Sequence, residues 1–209
     1  MNCIEKFYFN TIKQRWLTIV LCALSFVYTI WYLSLTPNPE SLDGTISIIG
    51  LDHPFLFAVW ALLAQGALFF GQRLLFYHFD CMNVFVRIMT ALSLLSIVLT
   101  VCVPYDVEDD FKFYTHCASA ISFIVVNAVI MIYFFFKNRK IKLFLAFGII
   151  TVITVLSMLA GFKIFGESGI LEAVPMWISQ VLLGISAIFK SNSKSSKSQN
   201  EQMKETIHK

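Results

Sequence analysis

Residues 84–103, VFVRIMTALSLLSIVLTVCV, carry a single charge, Arg87, in twenty positions. At about 1.5 Å of rise per residue, a helix over that run would reach about 30 Å, the thickness of a bilayer's hydrocarbon core. Working outward from it, five more apolar stretches of similar length read at 16–34, 54–71, 114–136, 143–162 and 169–189. With 57% hydrophobic and only 14% charged residues, six spans use up most of the 209 positions and leave no room for a soluble domain. The fold class expected is an all-α membrane protein, a six-transmembrane-helix bundle over 1–190. The remainder, 191–209, rich in Ser, Lys, Gln and Asn, is too polar to bury anything and is expected to be a disordered cytoplasmic tail.

The first stretch is longer than the apolar core of a signal peptide, and Leu33-Ser34-Leu35-Thr36-Pro37 offers no small-residue cleavage site, so it reads as a retained helix. Charge then sorts by connection. Lys6, Lys13 and Arg15 precede the first span, Arg73 and Arg87 flank the second connection, and Lys137, Arg139, Lys140 and Lys142 fill the fourth. Lys190 and four lysines in the tail follow, so that fourteen of the sixteen basic residues fall on one side. The other side collects nine of the thirteen acids: Glu40, Asp43, Asp52, Asp106, Glu108, Asp109, Asp110, Glu167 and Glu172. Basic residues in short loops stay cytoplasmic, which implies a cell-membrane, multi-pass protein with both termini inside. The net charge of +3 belongs to that inner face and its anionic lipids, and gives no reason to expect a nucleic-acid partner.

Small and hydroxyl residues recur at helical spacing within the spans: Thr18, Cys22, Ser25 and Thr29; Thr90, Ser93, Ser96 and Thr100; Thr151, Thr154, Ser157 and Gly161. Ala67 with Gly71, and Ser157 with Gly161, are small-xxx-small pairs, the spacing that lets helices approach closely in lipid. These stripes predict packing seams. Beyond lipids, a second copy of the chain or another membrane protein stays open as a partner. The strongly polar mid-span groups are Gln65, Asn127 and Gln180, with no charge deep inside, which argues against a proton or ion pump.

The chemistry gathers at the acidic side. His53 opens the second span beside Asp52, His116 lies early in the fourth after Asp106, Asp109 and Asp110, and Glu172 lies early in the sixth. His53, Asp106, Asp110, His116 and Glu172 are therefore the candidate ligand-binding residues, and His116, His53, Asp106 and Glu172 the candidate catalytic ones. Two imidazoles and several carboxylates suit a divalent metal or general acid–base work, although none sits in a known metal spacing and no cofactor is established. Cys102 and Cys117 bracket one short connection on that side, where a disulfide is conceivable. The first connection, bounded by Pro37-Asn38-Pro39 and Pro54, carries Thr45-Ile46-Ser47-Ile48-Ile49-Gly50. That middle reads as β-prone or interfacial, either a lid over the mouth or a plain tether.

Val103-Pro104-Tyr105-Asp106, then His116 ten residues on, then Ala118, Ala120 and Phe123, resembles the pattern of the bacterial six-helix membrane family of domain of unknown function 998. That family is similar in turn to the DRAM, Frag and Sfk group. The Pro-Asn-Pro after the first span and the glutamate opening the last, Glu172, also match, while Ala173 stands where the family often has arginine. The resemblance implies six helices with both termini inside and a role near membrane lipids, with no established reaction.

Two functions from different classes follow. The first is a non-enzymatic integral membrane protein that binds, senses or organises lipid at the outer leaflet. The alternative is an integral membrane hydrolase of a lipid ester or amide, with His116 as base or metal ligand and His53, Asp106 and Glu172 as ligands or orienters. A small-molecule transporter comes third, since no inverted repeat with broken helices is visible.

Overall fold

Each apolar run folds as a helix because lipid offers its backbone no other hydrogen-bond partner. The computed structural model describes residues 11–41, 44–166 and 168–188. The expected tail at 191–209, with Cys3, Asp43 and Glu167, lies outside them. The helices are α1 (Thr11–Leu33), α2 (Ile46–Asp52), α3 (Pro54–His78), α4 (Val84–Cys102), α5 (Asp110–Lys137), α6 (Lys142–Phe165) and α7 (Gly169–Ile188). All except α2 are long and apolar enough to cross a membrane, which makes this an integral membrane protein by length and composition.

Local chemistry sets the helix ends. Asp109 caps α5 by accepting the N–H groups of Phe111 and Lys112 at 3.1 and 3.2 Å, so that helix begins four residues before the span read from hydropathy. At its other end α3 continues through Gln72 and Arg73 to His78, seven residues beyond the 54–71 read from sequence. Its stop is Asp80, in the left-handed region at φ 51°, with the N–H of Cys81 donating to Phe76 O at 2.8 Å.

The six long helices form a ring in chain order, α1 packing on both α3 and α7, while α3, α5 and α7 also touch one another across the middle. The layering shows in burial: 44% of the apolar window is buried in each of α3, α5 and α7, against 33% in α1 and 28% in α4 and α6. Alternate helices therefore face lipid. Val20, Leu24, Val27 and Trp31 on α1, Ile88, Leu92, Leu95 and Leu99 on α4, and Ile149, Ile153 and Leu156 on α6 are exposed at helical spacing.

Seams between helices run through small and hydroxyl groups, as they must where burial in lipid gives no hydrophobic gain. Thr18, Cys22, Ser25 and Thr29 are all buried, and Thr29 Oγ1 accepts the indole N–H of Trp60 at 3.1 Å. Gly71 packs against Thr18 and Leu183 as its small-residue spacing predicts. On α6 the stripe shifts: Thr151, Thr154, Met158 and Gly161 are buried, and Ser157 is exposed.

Midway through the bundle a chain of amides links three helices. Gln72 Nε2 donates to Asn127 Oδ1 at 3.0 Å, Asn127 Nδ2 to Ser93 Oγ at 2.8 Å, and Ser93 Oγ to Gln65 Oε1 at 3.1 Å. Separately, Gln180 Nε2 donates to Ser25 Oγ at 2.7 Å and ties α7 to α1. Toward the basic end the interior fills with rings: Phe76, Phe79, Phe134, Phe135, Phe144 and Phe147 pack in series, with neighbouring centroids 5.2 to 5.8 Å apart.

Candidate functional site

The acidic end is closed differently, by α2. Thr45-Ile46-Ser47-Ile48-Ile49-Gly50, β-prone in sequence, is helical here because tertiary contacts outweigh propensity. Thr45 Oγ1 caps the Ile48 N–H at 3.3 Å, and Glu172 Oε2 accepts the Ile46 N–H at 2.7 Å. From α1 the Tyr32 hydroxyl donates to Ile46 O at 3.4 Å, while Ile46 and Ile49 bury their side chains inward. The connection thus lies across the bundle rather than hanging from it.

Two glycines let it lie so low. A Cβ at Gly169 would collide with the carbonyl oxygen of Gly44, and a Cβ at Gly44 with the carbonyl oxygen of Asn38. Backbone stands directly against backbone there, and the N–H of Ile170 donates to Pro39 O at 3.3 Å.

Beneath α2 is a cavity of about 220 Å³. Phe57, Trp60, Ile97, Thr100 and Phe123 form its buried wall. Its other wall, between α5 and the end of α6, is incomplete: Ile121 and Gly166 are exposed, and Cys117, Ala120 and Phe162 half-buried. The cavity therefore opens sideways, toward the lipid-facing surface. His116, Ser47, Tyr105 and Glu172 line it under α2, while the Thr100 hydroxyl in the wall is bonded to Ser96 O and Ser119 Oγ.

His116 is 2% exposed. Its Nδ1 lies 2.6 Å from Val103 O, and its Nε2 lies 2.8 Å from Ser47 Oγ. A carbonyl oxygen can only accept, so the proton sits on Nδ1, and in the neutral ring Nε2 accepts the Ser47 hydroxyl. Phe57 stacks on the imidazole at 6.5 Å, and Tyr105 meets it edge-on at 5.7 Å. Ring plane and tautomer are both fixed.

Of the residues singled out in the sequence, the structure brings His116 and Glu172 to this cavity and leaves His53, Asp106 and Asp110 outside its lining. His53 is the exposed joint between α2 and α3. Asp106 instead joins a surface clasp: Lys112 Nζ lies 3.1 Å from Asp106 and 3.2 Å from Asp109. Hydrogen bonding to Lys112 holds the Asp106 carboxyl below its ordinary range, and the Lys112 backbone N–H does the same for Asp109. Asp110, in the first turn of α5, is exposed. Among the described residues no three His, Cys, Asp or Glu side chains are grouped to hold a metal ion. No disulfide forms among them either: Cys102 is exposed on α4, and Cys117 borders the cavity.

Ser47 and Tyr105 also line the cavity, although neither is a candidate site residue from the sequence. Ser47 is one hydroxyl in a β-prone run, and its partner is 69 positions away, so no local spacing marks it. Compared with known proteins, the chain matches no family model, no curated protein and no solved structure.

Proposed function

We propose that this chain is a lipid-binding integral membrane protein of the cell membrane, with both termini cytoplasmic, whose cavity takes an acyl chain from the outer leaflet. The observation that carries this is the sideways opening of an apolar cavity whose polar groups are gathered at one end. An amphiphile has the same polarity: its chain fits the apolar wall, and its ester or head fits beside His116 and Glu172. At about 220 Å³ the cavity exceeds the roughly 150 Å³ apolar hole that admits a benzene-sized guest, so it holds a segment of chain while the rest trails out between α5 and α6. The resemblance of the Pro104–Asp106 segment, His116 and Glu172 to a family placed near membrane lipids supports the same reading.

A diazirine-bearing fatty acid, photolysed with the full chain in liposomes, tests it. Adducts should concentrate on Cys117, Ile121 and Phe162 and be lost in Ala120→Trp, which fills the opening. Adducts spread over the lipid-facing surface and indifferent to Ala120→Trp would refute it.

A further inference from the structure

Val103 O, the imidazole of His116 and the hydroxyl of Ser47 form one line of hydrogen bonds that ends inside the cavity. We infer that Ser47 is a nucleophile and His116 its general base, and that the chain cleaves acyl esters. This rests on the acyl-chain reading above and extends it to chemistry. Nucleophile–base pairs are recognised by geometry rather than by sequence order, and the requirements are an oxygen within about 2.6–3.2 Å of the base and a third group orienting the ring. Ser47 Oγ meets the first at 2.8 Å, and the Val103 carbonyl meets the second at 2.6 Å, in the role a carboxylate often fills.

A bland alternative is that the pair merely pins α2 to α5. A further anchor is not needed to hold α2 in place, since Glu172 of α7 and Tyr32 of α1 already bond Ile46. Directing a hydroxyl and a fixed imidazole lone pair into the one polar end of an apolar cavity is what an acyl carbonyl arriving there requires. Water is the one co-reactant the hydrolysis consumes. Ser47 Oγ attacks the carbonyl carbon and its proton passes to His116 Nε2. Collapse of the tetrahedral intermediate breaks the ester C–O bond, and the same proton leaves with the alcohol. Water then attacks the acyl-serine, its proton returning through Nε2 to Ser47 as the carboxylic acid departs.

An alkyl fluorophosphonate with a long chain, incubated with the full-length protein in liposomes and followed by peptide mass spectrometry, tests this directly. A phosphonyl adduct on Ser47 is expected, absent in Ser47→Ala and formed about 100-fold more slowly in His116→Gln. Absence of an adduct on Ser47 in folded wild-type protein overturns the inference, whatever the variants do. If the diazirine fatty acid still labels the cavity in that case, lipid binding stands and catalysis does not. If neither reagent reacts there, both readings fall.

Discussion

The carboxylate of Glu172, on the last helix, accepts the backbone N–H of Ile46 at 2.7 Å across 126 residues of sequence. One side chain thereby ties the cover of the cavity to the helix on its far side. Glu172→Ala should cost about 1–3 kcal/mol in detergent unfolding, the usual penalty for orphaning a buried donor. It should also speed maleimide labelling of Cys117, which borders the cavity. Glu172→Gln keeps an acceptor and should preserve both properties. Equal labelling rates in wild type and alanine variant would show that α2 does not cover the site.

The contact between Gly44 and Gly169 predicts an asymmetry among glycines. Gly169→Ala should unfold well below wild type, because the new methyl meets backbone that cannot rotate away. Gly66→Ala and Gly184→Ala, where a Cβ meets nothing within 4 Å, should be neutral or stabilising by up to about 1 kcal/mol. Parallel melting curves would check this.

Asn127 sits at the centre of the amide chain, donating to Ser93 and accepting from Gln72. Asn127→Leu strands both partners and should cost about 1–3 kcal/mol, above the roughly 0.6 kcal/mol average for one polar pair in a membrane. Ser157→Leu, on the exposed face of α6, should change little.

The clasp of Asp106, Asp109 and Lys112 carries a pH signature. Both carboxyls titrate below their ordinary range, so their contribution is complete above the unfolded value near pH 4 and is lost as pH falls through the depressed values. Lys112→Gln should flatten the acid limb of stability below about pH 4. An acid limb unchanged by the substitution would mean that the clasp is not formed in solution.

Orientation is checked by labelling. A cysteine at Asp109 should react with an impermeant thiol reagent in intact cells, and one at Arg139 only after permeabilisation. The reverse pattern would put the cavity at the inner leaflet.

Hydropathy alone located all six long helices, because a bilayer forces length and polarity together. It misjudged the end of α3, where Gln72 and Arg73 looked like a boundary. Gln72 is instead buried against Asn127, and Arg73 lies over the rings of Phe69 and Tyr77. The bundle's stripes were visible as periodicity, yet Ser157 and Met158 could not be told apart without knowing which face meets α5 and α7. At the site, His116 and Glu172 were legible as polar groups near helix ends. Asp106 looked equivalent to them, but a lysine six positions on drew it to the surface. Ser47 was invisible because what matters about it is the fold's work: a cap, two glycines and a distant carboxylate turn a β-prone run into a helix that aims one hydroxyl inward.

The rings packed between the basic ends of α3, α5 and α6 fill the end of the bundle away from α2, so the cavity and the aromatic packing divide the interior between them. On the acyl-chain reading proposed above, that division of the bundle favours residence and reaction over passage, and a product would return to the leaflet that supplied the lipid.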